Sequence, residues 1–597
     1  MRPLARCLVI LAAVIPFAAL LVQAADSYPI ATEFDIEAKM RDGVILRADV
    51  YRPKSSEEKF PVLLERTPYD KRNSRAFAIR AAMRGYVVII QDVRGRYKSE
   101  GEWYPFKNES NDGFDTVEWA AALPYANGRV GMIGGSYVGA TQMLTAIAHP
   151  PHLSGICPVV TASNYHEGWT YQGGAFEQWF NESWTSGLAQ DTLNRSVEKN
   201  TNAQHGMWKL PLTQYPLFEV PENDSSMTRT LAPYFLDWLA HPNYDDYWKR
   251  WSIEEHFSDI NVPMLTVAAW YDNFQGGSLR NYIGVKQHGA SDAARKGQRL
   301  VVMIGGHAGG GRKIGDVDFG QAAVWEEDDV ALAWYDGLLK GQSNEYTQSK
   351  PVRIFVMGQN QWRDEDDWPL ARAKETRYFL HSSGKANSVS GDGVLSTAAP
   401  RAETADHYLY DPANPAPTVG GQLCCDSHHL KPGPRDQRSV EARPDVLVYS
   451  TPALAQDLEV TGPVTLDFFT SSSAVDTDFT AKLVDVWPDG FAQNLTEGIV
   501  RARYRDSREQ PKLLNPGETY KMSIDLWSTG NLFKNGHRIR LEISSSNFPR
   551  FDRNLNSGED NATGQKSVPA TNTIYHDREH PSAVILPVVG EQSPIAR

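Results

Sequence analysis

The sequence predicts an α/β protein with a helical cap insertion and a C-terminal β domain of the jelly-roll type. Three observations favour this fold class. Strand-like apolar runs alternate with helical segments in residues 25–160 and again in 256–347, which indicates a parallel sheet covered by helices. Residues 161–255 are rich in aromatic side chains and poor in β-branched runs, which indicates the cap. From 348 to 597, alternating runs are separated by turn residues, a pattern typical of a β-sandwich.

The elements of the two α/β segments follow from their apolar periodicity. Residues 86–91 are continuous and mostly β-branched, as expected of a strand buried on both faces. Further strands are predicted at 44–50, 60–65, 130–133, 262–269 and 299–304. Helices are predicted at 115–123, 138–148, 278–286 and 331–339.

Composition and charge argue against a protein that binds nucleic acid. The chain has 597 residues and a net charge of -13, and no cluster of basic residues, so we expect no nucleic-acid partner.

Residues 1–24 join a basic start to an apolar run and small residues, which is typical of a cleaved signal peptide. That run is short for a bilayer span of about 20 residues. We therefore expect a secreted or periplasmic protein, with no membrane contact after cleavage; its oligomeric state stays open.

The cysteines leave their pairing open. Cys7 lies in the signal segment, and the mature chain keeps Cys157, Cys424 and Cys425, an odd number. The two adjacent cysteines could form a vicinal disulfide, or one of them could pair with Cys157. The run 424–429, Cys-Cys-Asp-Ser-His-His, resembles a metal cluster but lacks the spacing that turns two ligands towards one ion, so we predict no metal.

A glycine-rich turn around Ser136 carries the main indication of chemistry. The strand 130–133 ends just before this serine, and a small-residue helix follows it. A strand, a glycine-flanked serine and a helix form the nucleophile elbow of the α/β-hydrolase fold. The usual G-x-S-x-G pattern is not met, because Val138 stands where the second glycine belongs and Gly139 comes one residue later.

A nucleophilic serine needs a base and a carboxylate that orients the base. In this fold they follow the serine in the order Asp or Glu, then His, each after a later strand. Asp272 follows the strand 262–269, and His307 follows the strand 299–304. Alone, the aspartate could be a turn former and the histidine a structural hydrogen bonder. Together with Ser136 they predict a catalytic triad, which requires no cofactor.

Several motifs resemble the CocE/NonD hydrolases, the family that includes cocaine esterase, α-amino-acid ester hydrolases, glutaryl-cephalosporin acylases and the Xaa-Pro dipeptidyl-peptidases of the S15 type. The residues around the serine read G-x-S-Y-x-G, and 66–71 read R-x-P-Y-D-K. The histidine motif departs from the family's G-P-W-x-H, because Gly305 and Gly306 precede His307. The likeness covers nearly the whole mature chain, and its other motifs lie at 92–101, 270–272, 408–421 and 476–483.

The resemblance implies roles that the residue pattern alone does not show. It implies that the Tyr69 hydroxyl and the backbone N–H of Tyr137 stabilise the oxyanion. It also implies that Trp169 and Trp184 line the acyl pocket, although both could equally be packing residues of the cap.

We therefore expect a secreted serine hydrolase that acts on a small-molecule ester or amide, with carboxylic esters preferred. The alternatives are a Xaa-Pro dipeptidyl-peptidase and an α-amino-acid ester hydrolase, both of which must hold a free ammonium group. Glu167, Glu177 and Glu182 of the cap could supply the carboxylates for this. A remote alternative is a binding protein with an inactive hydrolase domain.

Overall fold

The computed structural model describes residues 27–55, 57–196, 207–208, 210–214 and 226–590. The predicted signal peptide, residues 1–24, lies outside this range. Within the described residues, none of the helices combines the length and the apolar character needed to traverse a bilayer.

The N-terminal half is built on a mixed eleven-stranded sheet. Its strand order is β1-β2-β4-β3-β5-β6-β9-β10-β14-β15, with β11 paired to β10. The strands β3 to β6, β9, β10 and β14 run parallel, and β1, β2 and β15 are antiparallel additions at the two edges. Two short hairpins, β7-β8 and β12-β13, stand apart from the sheet. The strands are β1 (Ile30–Lys39), β2 (Ile45–Pro53), β3 (Phe60–Thr67), β4 (Val87–Asp92), β5 (Ala126–Gly135), β6 (Leu153–Val159), β7 (Tyr171–Gln172), β8 (Ala175–Phe176), β9 (Leu265–Tyr271), β10 (Arg299–Gly306), β11 (Gly309–Gly310), β12 (Lys313–Ile314), β13 (Val317–Asp318), β14 (Val352–Val356) and β15 (Gln361–Glu365).

Helices cover both faces of this sheet. Alternate residues of β3 point to opposite sides, so that Val62 and Leu64 join one core and Leu63 joins another. The helices α2 and α3 pack on the first face, and α1 and α10 pack on the second. The helices are α1 (Arg75–Met83), α2 (Glu109–Ala121), α3 (Tyr137–Ala146), α4 (Gln178–Ser196), α5 (Ser226–Leu231), α6 (Pro233–Ala240), α7 (Asp246–Lys249), α8 (Gln275–His288), α9 (Asp292–Lys296), α10 (Glu327–Lys340), α11 (Glu345–Gln348) and α12 (Arg438–Glu441). Short 3₁₀ helices lie at Leu212–Gln214, Ile253–Asp259, Gln321–Ala323 and Ala502–Tyr504.

The C-terminal half forms a second eleven-stranded, largely antiparallel sheet, and its apolar core is continuous with residues of β9, β10 and β14 of the first sheet. This β-rich domain and the α/β domain confirm the predicted fold class. The long strands β20 and β23 pair along most of their length. The strands are β16 (Ala373–His381), β17 (Val394–Ser396), β18 (Asp406–Tyr410), β19 (Leu447–Ser450), β20 (Leu458–Ser472), β21 (Asp478–Val486), β22 (Ala492–Arg501), β23 (Tyr520–Phe533), β24 (Arg538–Ser544), β25 (Ala570–Tyr575) and β26 (Ala583–Val589).

Two strands that the sequence placed in the C-terminal domain belong to the first sheet. β14 pairs in parallel with β10, and β15 returns antiparallel to β14, so residues 352–365 extend the α/β sheet. The sequence prediction placed the domain boundary at 347/348 because helical patterns stop there. The sequence pattern of an antiparallel hairpin at the edge of a parallel sheet is the same as that of the first strands of a β domain.

The described part of the segment 161–255 is mostly helical and is fixed to the C-terminal domain. The β7-β8 turn meets β22 so closely that a Cβ at Gly173 would lie 2.0 Å from the Ile499 carbonyl oxygen. The N–H of Arg501 donates to the Gly173 carbonyl at 2.9 Å, and the N–H of Phe176 donates to Asp552 at 2.8 Å. This anchoring holds one wall of the cavity described below.

Candidate active site

Ser136 occupies the turn between β5 and α3. Its φ is +61°, a left-handed conformation that is unusual for a residue other than glycine and that costs free energy. The turn leaves little room: a Cβ at Gly134 would lie 2.3 Å from Val138 Cγ1, and one at Gly139 would lie 2.7 Å from Thr161 Cβ. α3 packs directly against the segment after β6. A glycine is therefore needed at position 139, one residue later than in the usual motif.

His307 and Asp272 lie beside Ser136 because β9 and β10 are parallel neighbours. Asp272 directly follows β9 and His307 directly follows β10, and the strands are paired up to Tyr271 and Gly306. The imidazole Nε2 lies 2.8 Å from Ser136 Oγ, and Nδ1 lies 2.6 Å from Asp272 Oδ1. Asp272 is fully buried, and its other oxygen accepts from the N–H of Phe274. The structure therefore brings together the three side chains that the sequence singled out.

The tight hairpin between β10 and β11 explains why two glycines precede His307. β11 folds back on β10 in a tight hairpin, which pairs Gly305 with Gly310 and Gly306 with Gly309. A Cβ at Gly305 would lie 2.5 Å from the Gly309 carbonyl oxygen. The departure from the G-P-W-x-H motif thus accompanies a hairpin that has no space for a side chain at this position.

Tyr69 points its hydroxyl at the same serine. Trp184 Nε1 donates to that hydroxyl at 2.9 Å. Burial raises the pKa of the Tyr69 phenol, against the opposing effect of hydrogen bonds with Trp184, Ser136 and the backbone of Tyr137. The phenol therefore keeps its proton at neutral pH and can donate it to an anion.

The side chain of Tyr137 points away from the serine, so only its backbone N–H is available to substrate. Its hydroxyl donates to Glu109 at 3.0 Å and accepts from the N–H of Phe106 at 2.7 Å. Glu109 in turn pairs with buried Arg66 at 2.8 Å. The ion pair and the phenol thus tie β3, which leads to Tyr69, to the first residue of α3. This explains physically why an arginine stands three residues before Tyr69.

A cavity of about 630 Å³ opens over these groups. Trp184 lines it, but Trp169 does not: Trp169 is fully buried, stacked on Phe274 with ring centroids 4.6 Å apart. Phe274 meets the His307 ring edge-on at 5.2 Å. Of the two predicted pocket tryptophans, one therefore faces the cavity and the other supports the residue that contacts His307. The cavity is lined by Tyr69, Arg96, Tyr97, Gly135, Ser136, Val159, Val160, Ser183, Trp184, Gly187, Leu188, His307, Ala308, Gly309, Glu327 and Cys425.

Two charged residues of this lining were missed by sequence reasoning. Arg96 is held by the carbonyl oxygens of Pro68 and Leu188, both at 2.9 Å. Glu327 begins α10, and burial, with a smaller contribution from Asp328, raises its pKa to about 7. The arginine lies within the family-like motif at 92–101, which was an available indication. No local pattern marked Glu327, because it reaches the cavity from a helix distant in sequence.

The cap carboxylates lie elsewhere. Glu177 and Glu182 are buried, and neither lines the cavity. Burial raises the pKa of Glu177 to about 8 and that of Glu182 well above its usual range. Glu167 accepts from the N–H of Gly173 and pairs with Arg508 at 3.4 Å.

The structure shows which of the cysteines are paired. Cys424 and Cys425 are joined by a vicinal disulfide, and Cys157 is a buried free thiol in β6. Cys425 lines the cavity over Ser136.

A helix-covered mixed sheet with a serine at the tight strand-to-helix turn defines a serine hydrolase of the α/β-hydrolase class. Residues 42–309 match the family model of the X-Pro dipeptidyl-peptidase (S15 family), and residues 344–585 match that of its C-terminal non-catalytic domain. The chain is 39% identical over 577 residues to cocaine esterase from Rhodococcus sp. (strain MB1 Bresler), covering 93% of this chain and 98% of the relative. It therefore belongs to the CocE/NonD hydrolases of the S15 type.

Solved structures share the same architecture. An aminopeptidase from a marine sediment archaeon, Thaumarchaeota archaeon, matches with a TM-score of 0.82 and 26% identity, covering 94% of this chain and 97% of that one. An α-amino acid ester hydrolase matches with a TM-score of 0.78 and 24% identity, covering 96% of this chain and 100% of that one. The second likeness shows the fold alone.

Proposed function

We propose that this chain is an exported serine hydrolase that cleaves carboxylic esters of small uncharged acids through an acyl-enzyme. The observation that carries the proposal is the unbroken series Ser136 Oγ, His307 Nε2 and Nδ1, and Asp272, with separations of 2.8 and 2.6 Å, at the base of an open cavity. Export rests on residues 1–24 and is tested by the N-terminal sequence of protein collected outside the cytoplasm, which should begin at residue 25 or 26.

The geometry supports a two-step reaction. His307 Nε2 takes the proton of Ser136 as its oxygen attacks the carbonyl carbon, and later gives that proton to the leaving alcohol. Asp272 holds Nδ1–H and stabilises the imidazolium. The developing oxyanion lies between the Tyr69 hydroxyl and the N–H of Tyr137, which donate most strongly when charge appears on oxygen. Water, activated by the same imidazole, then hydrolyses the acyl-enzyme.

The preference for uncharged acyl groups follows from the charges of the lining. The cap carboxylates Glu167, Glu177 and Glu182 lie outside the cavity, and Arg96, which pairs with Asp191 at 3.8 Å, lies in its lining. A buried ammonium without a partner costs several kcal/mol. The esterase names of the curated relatives support the same choice.

One observation favours a second function, the hydrolysis of substrates with a free amino group. Glu327 lines the cavity, and its raised pKa of about 7 leaves it partly ionised at neutral pH. The structural likeness to an aminopeptidase points the same way. A single, half-neutralised carboxylate is a weak ammonium site, so we rank this function second.

A substrate panel separates the two functions. We expect kcat/KM for phenyl acetate and p-nitrophenyl butyrate to exceed that for phenylglycine methyl ester and Gly-Pro-p-nitroanilide by about tenfold or more, since an unpaired ammonium is rejected. The measurement is initial rates for all four substrates at one pH. Faster cleavage of the last two would reverse our ranking of the two functions.

A second experiment tests Glu327 with two further esters that differ in charge but not in shape. One carries a trimethylammonium-acetyl group and the other a tert-butylacetyl group, and Glu327→Gln is the matched control. In the parent enzyme, the rate ratio of cationic to neutral ester should rise several-fold as pH passes upward through about 7, because Glu327 then loses its proton. The ratio should stay flat in Glu327→Gln. Equal pH profiles in both proteins would exclude Glu327 as the group that senses substrate charge.

A further inference from the structure

The vicinal disulfide lies next to the proposed catalytic base. One donor atom of His307 and the two sulfurs of Cys424 and Cys425 lie within 4.8 Å of one another. Cys425 lines the cavity over Ser136, and both cysteines line a second cavity of about 520 Å³ that also includes His307. His307 and Cys425 therefore line both cavities, and the buried Cys424 lines the second one.

We propose that reduction of this disulfide creates a metal site, in which the thiolates of Cys424 and Cys425 and the imidazole of His307 bind a thiophilic divalent cation such as Zn²⁺. The inhibition that follows rests on the proposed function, because it assumes that His307 is the base. The site is a property of the reduced protein. In the disulfide form the sulfurs are bonded to each other and are poor ligands.

The donor set suits such an ion. Zinc takes thiolate sulfur at about 2.3 Å and imidazole nitrogen at about 2.0–2.1 Å in tetrahedral sites. Ligand atoms of one tetrahedral ion thus lie roughly 3.5–3.8 Å apart, so groups already within 4.8 Å need only small rotations. Two thiolates and a neutral imidazole balance the charge of a divalent cation, and the fourth position is left to water.

Lys313 and Lys431 line the same second cavity as the two cysteines. The hairpin residues Gly306 and Gly309 also line it and bring no side chain that would compete for the space. The third ligand comes from a loop distant in the chain, which explains why the spacing of residues 424–429 alone predicted no metal.

The chemical steps balance. A phosphine and one water molecule reduce the disulfide: the two sulfurs gain two electrons and two protons, and phosphorus becomes the phosphine oxide. The metal then displaces one proton from each thiol to buffer. Because Asp272 holds Nδ1 at 2.6 Å, the ion takes Nε2, the nitrogen that otherwise faces Ser136. Ser136 then lacks a base, and hydrolysis stops without any change in the fold.

The first experiment measures binding without reference to activity. Ser136→Ala protein is reduced with a phosphine, freed of reagent under argon and titrated with Cd²⁺, whose thiolate complexes absorb in the ultraviolet. We expect one equivalent to bind with this absorbance, and no absorbance before reduction. In the same background, Cys424→Ser, Cys425→Ser and His307→Gln should each weaken binding by about tenfold or more. Cys157→Ala, which removes the buried thiol of β6, should bind like its parent.

The second experiment measures inhibition in the active protein. Zn²⁺ should lower the rate of p-nitrophenyl butyrate hydrolysis by about tenfold or more only after reduction, and a chelator should restore it. Each cysteine variant is compared with its own metal-free rate. Absence of the cadmium absorbance when thiol titration shows both cysteines reduced would overturn the site, and so would equal zinc inhibition of the oxidised enzyme. An active Ser136→Ala protein would instead refute the proposed function and leave the binding result standing.

Discussion

Ser136→Ala is expected to lower kcat by at least about 10⁴-fold, because the nucleophile is lost and the remaining groups only bind and polarise the substrate. Alanine keeps the Cβ and therefore the backbone conformation at φ +61°, so the fold should not change. The measurement is kcat for p-nitrophenyl butyrate, together with thermal unfolding of parent and variant.

Ser183→Ala is the matched control, since this serine lines the same cavity but donates to the carbonyl oxygen of Trp179 at 2.7 Å. We expect it to change kcat far less than Ser136→Ala does. A fluorophosphonate probe should label the parent stoichiometrically and leave Ser136→Ala unlabelled. Near-normal turnover by a folded Ser136→Ala protein would exclude the proposed mechanism and would favour the binding-protein alternative.

Tyr69→Phe is expected to lower kcat by about 10²–10³-fold with a much smaller effect on KM. The hydroxyl interacts with charge that develops in the transition state rather than with the neutral carbonyl of bound substrate. Because burial raises the pKa of this phenol, its proton should remain in place throughout the neutral range. Steady-state kinetics of parent and variant provide the measurement, and a change confined to KM would make Tyr69 a binding residue.

Tyr137→Phe is the contrasting control, because Tyr137 offers substrate only its backbone N–H. Phenylalanine keeps that N–H, so kcat should stay close to the parent value. The variant leaves the N–H of Phe106 without its acceptor and removes one of the two groups that bind Glu109, which keeps its ion pair with Arg66; the loss costs about 1–3 kcal/mol of folding free energy. One tyrosine should thus affect catalysis and the other stability. The reverse result would show that the two roles are misassigned.

Much of the candidate site could be predicted from the sequence because its residues follow regular elements. Parallel strands end at one edge of a sheet, so residues after successive strands meet there. Ser136, Asp272 and His307 each follow such a strand, and apolar periodicity locates all three strands within a few residues. The odd position of Gly139 could not be explained in this way, because its cause is contact with Thr161 of another segment.

The lining of the cavity was predicted less well. Trp169 and Trp184 belong to the same aromatic cluster, with ring centroids 5.4 Å apart, and nothing in their sequence context distinguishes the one that faces the cavity. The sheet to which β14 and β15 belong was likewise not evident from the sequence, since it is decided by strand pairing rather than by strand pattern.

The fold class, the family resemblance and the order of serine, aspartate and histidine could all be predicted from the sequence, because they depend on local periodicity, glycine positions and short motifs. The packing of distant segments places Glu327 and Arg96 in the lining of the cavity over the serine, keeps the cap carboxylates out of that lining, and joins Cys424 to Cys425 beside His307. The physical reason is that charge, burial and ligand geometry depend on which distant segments pack together, and side-chain packing across elements leaves no periodic trace in the chain.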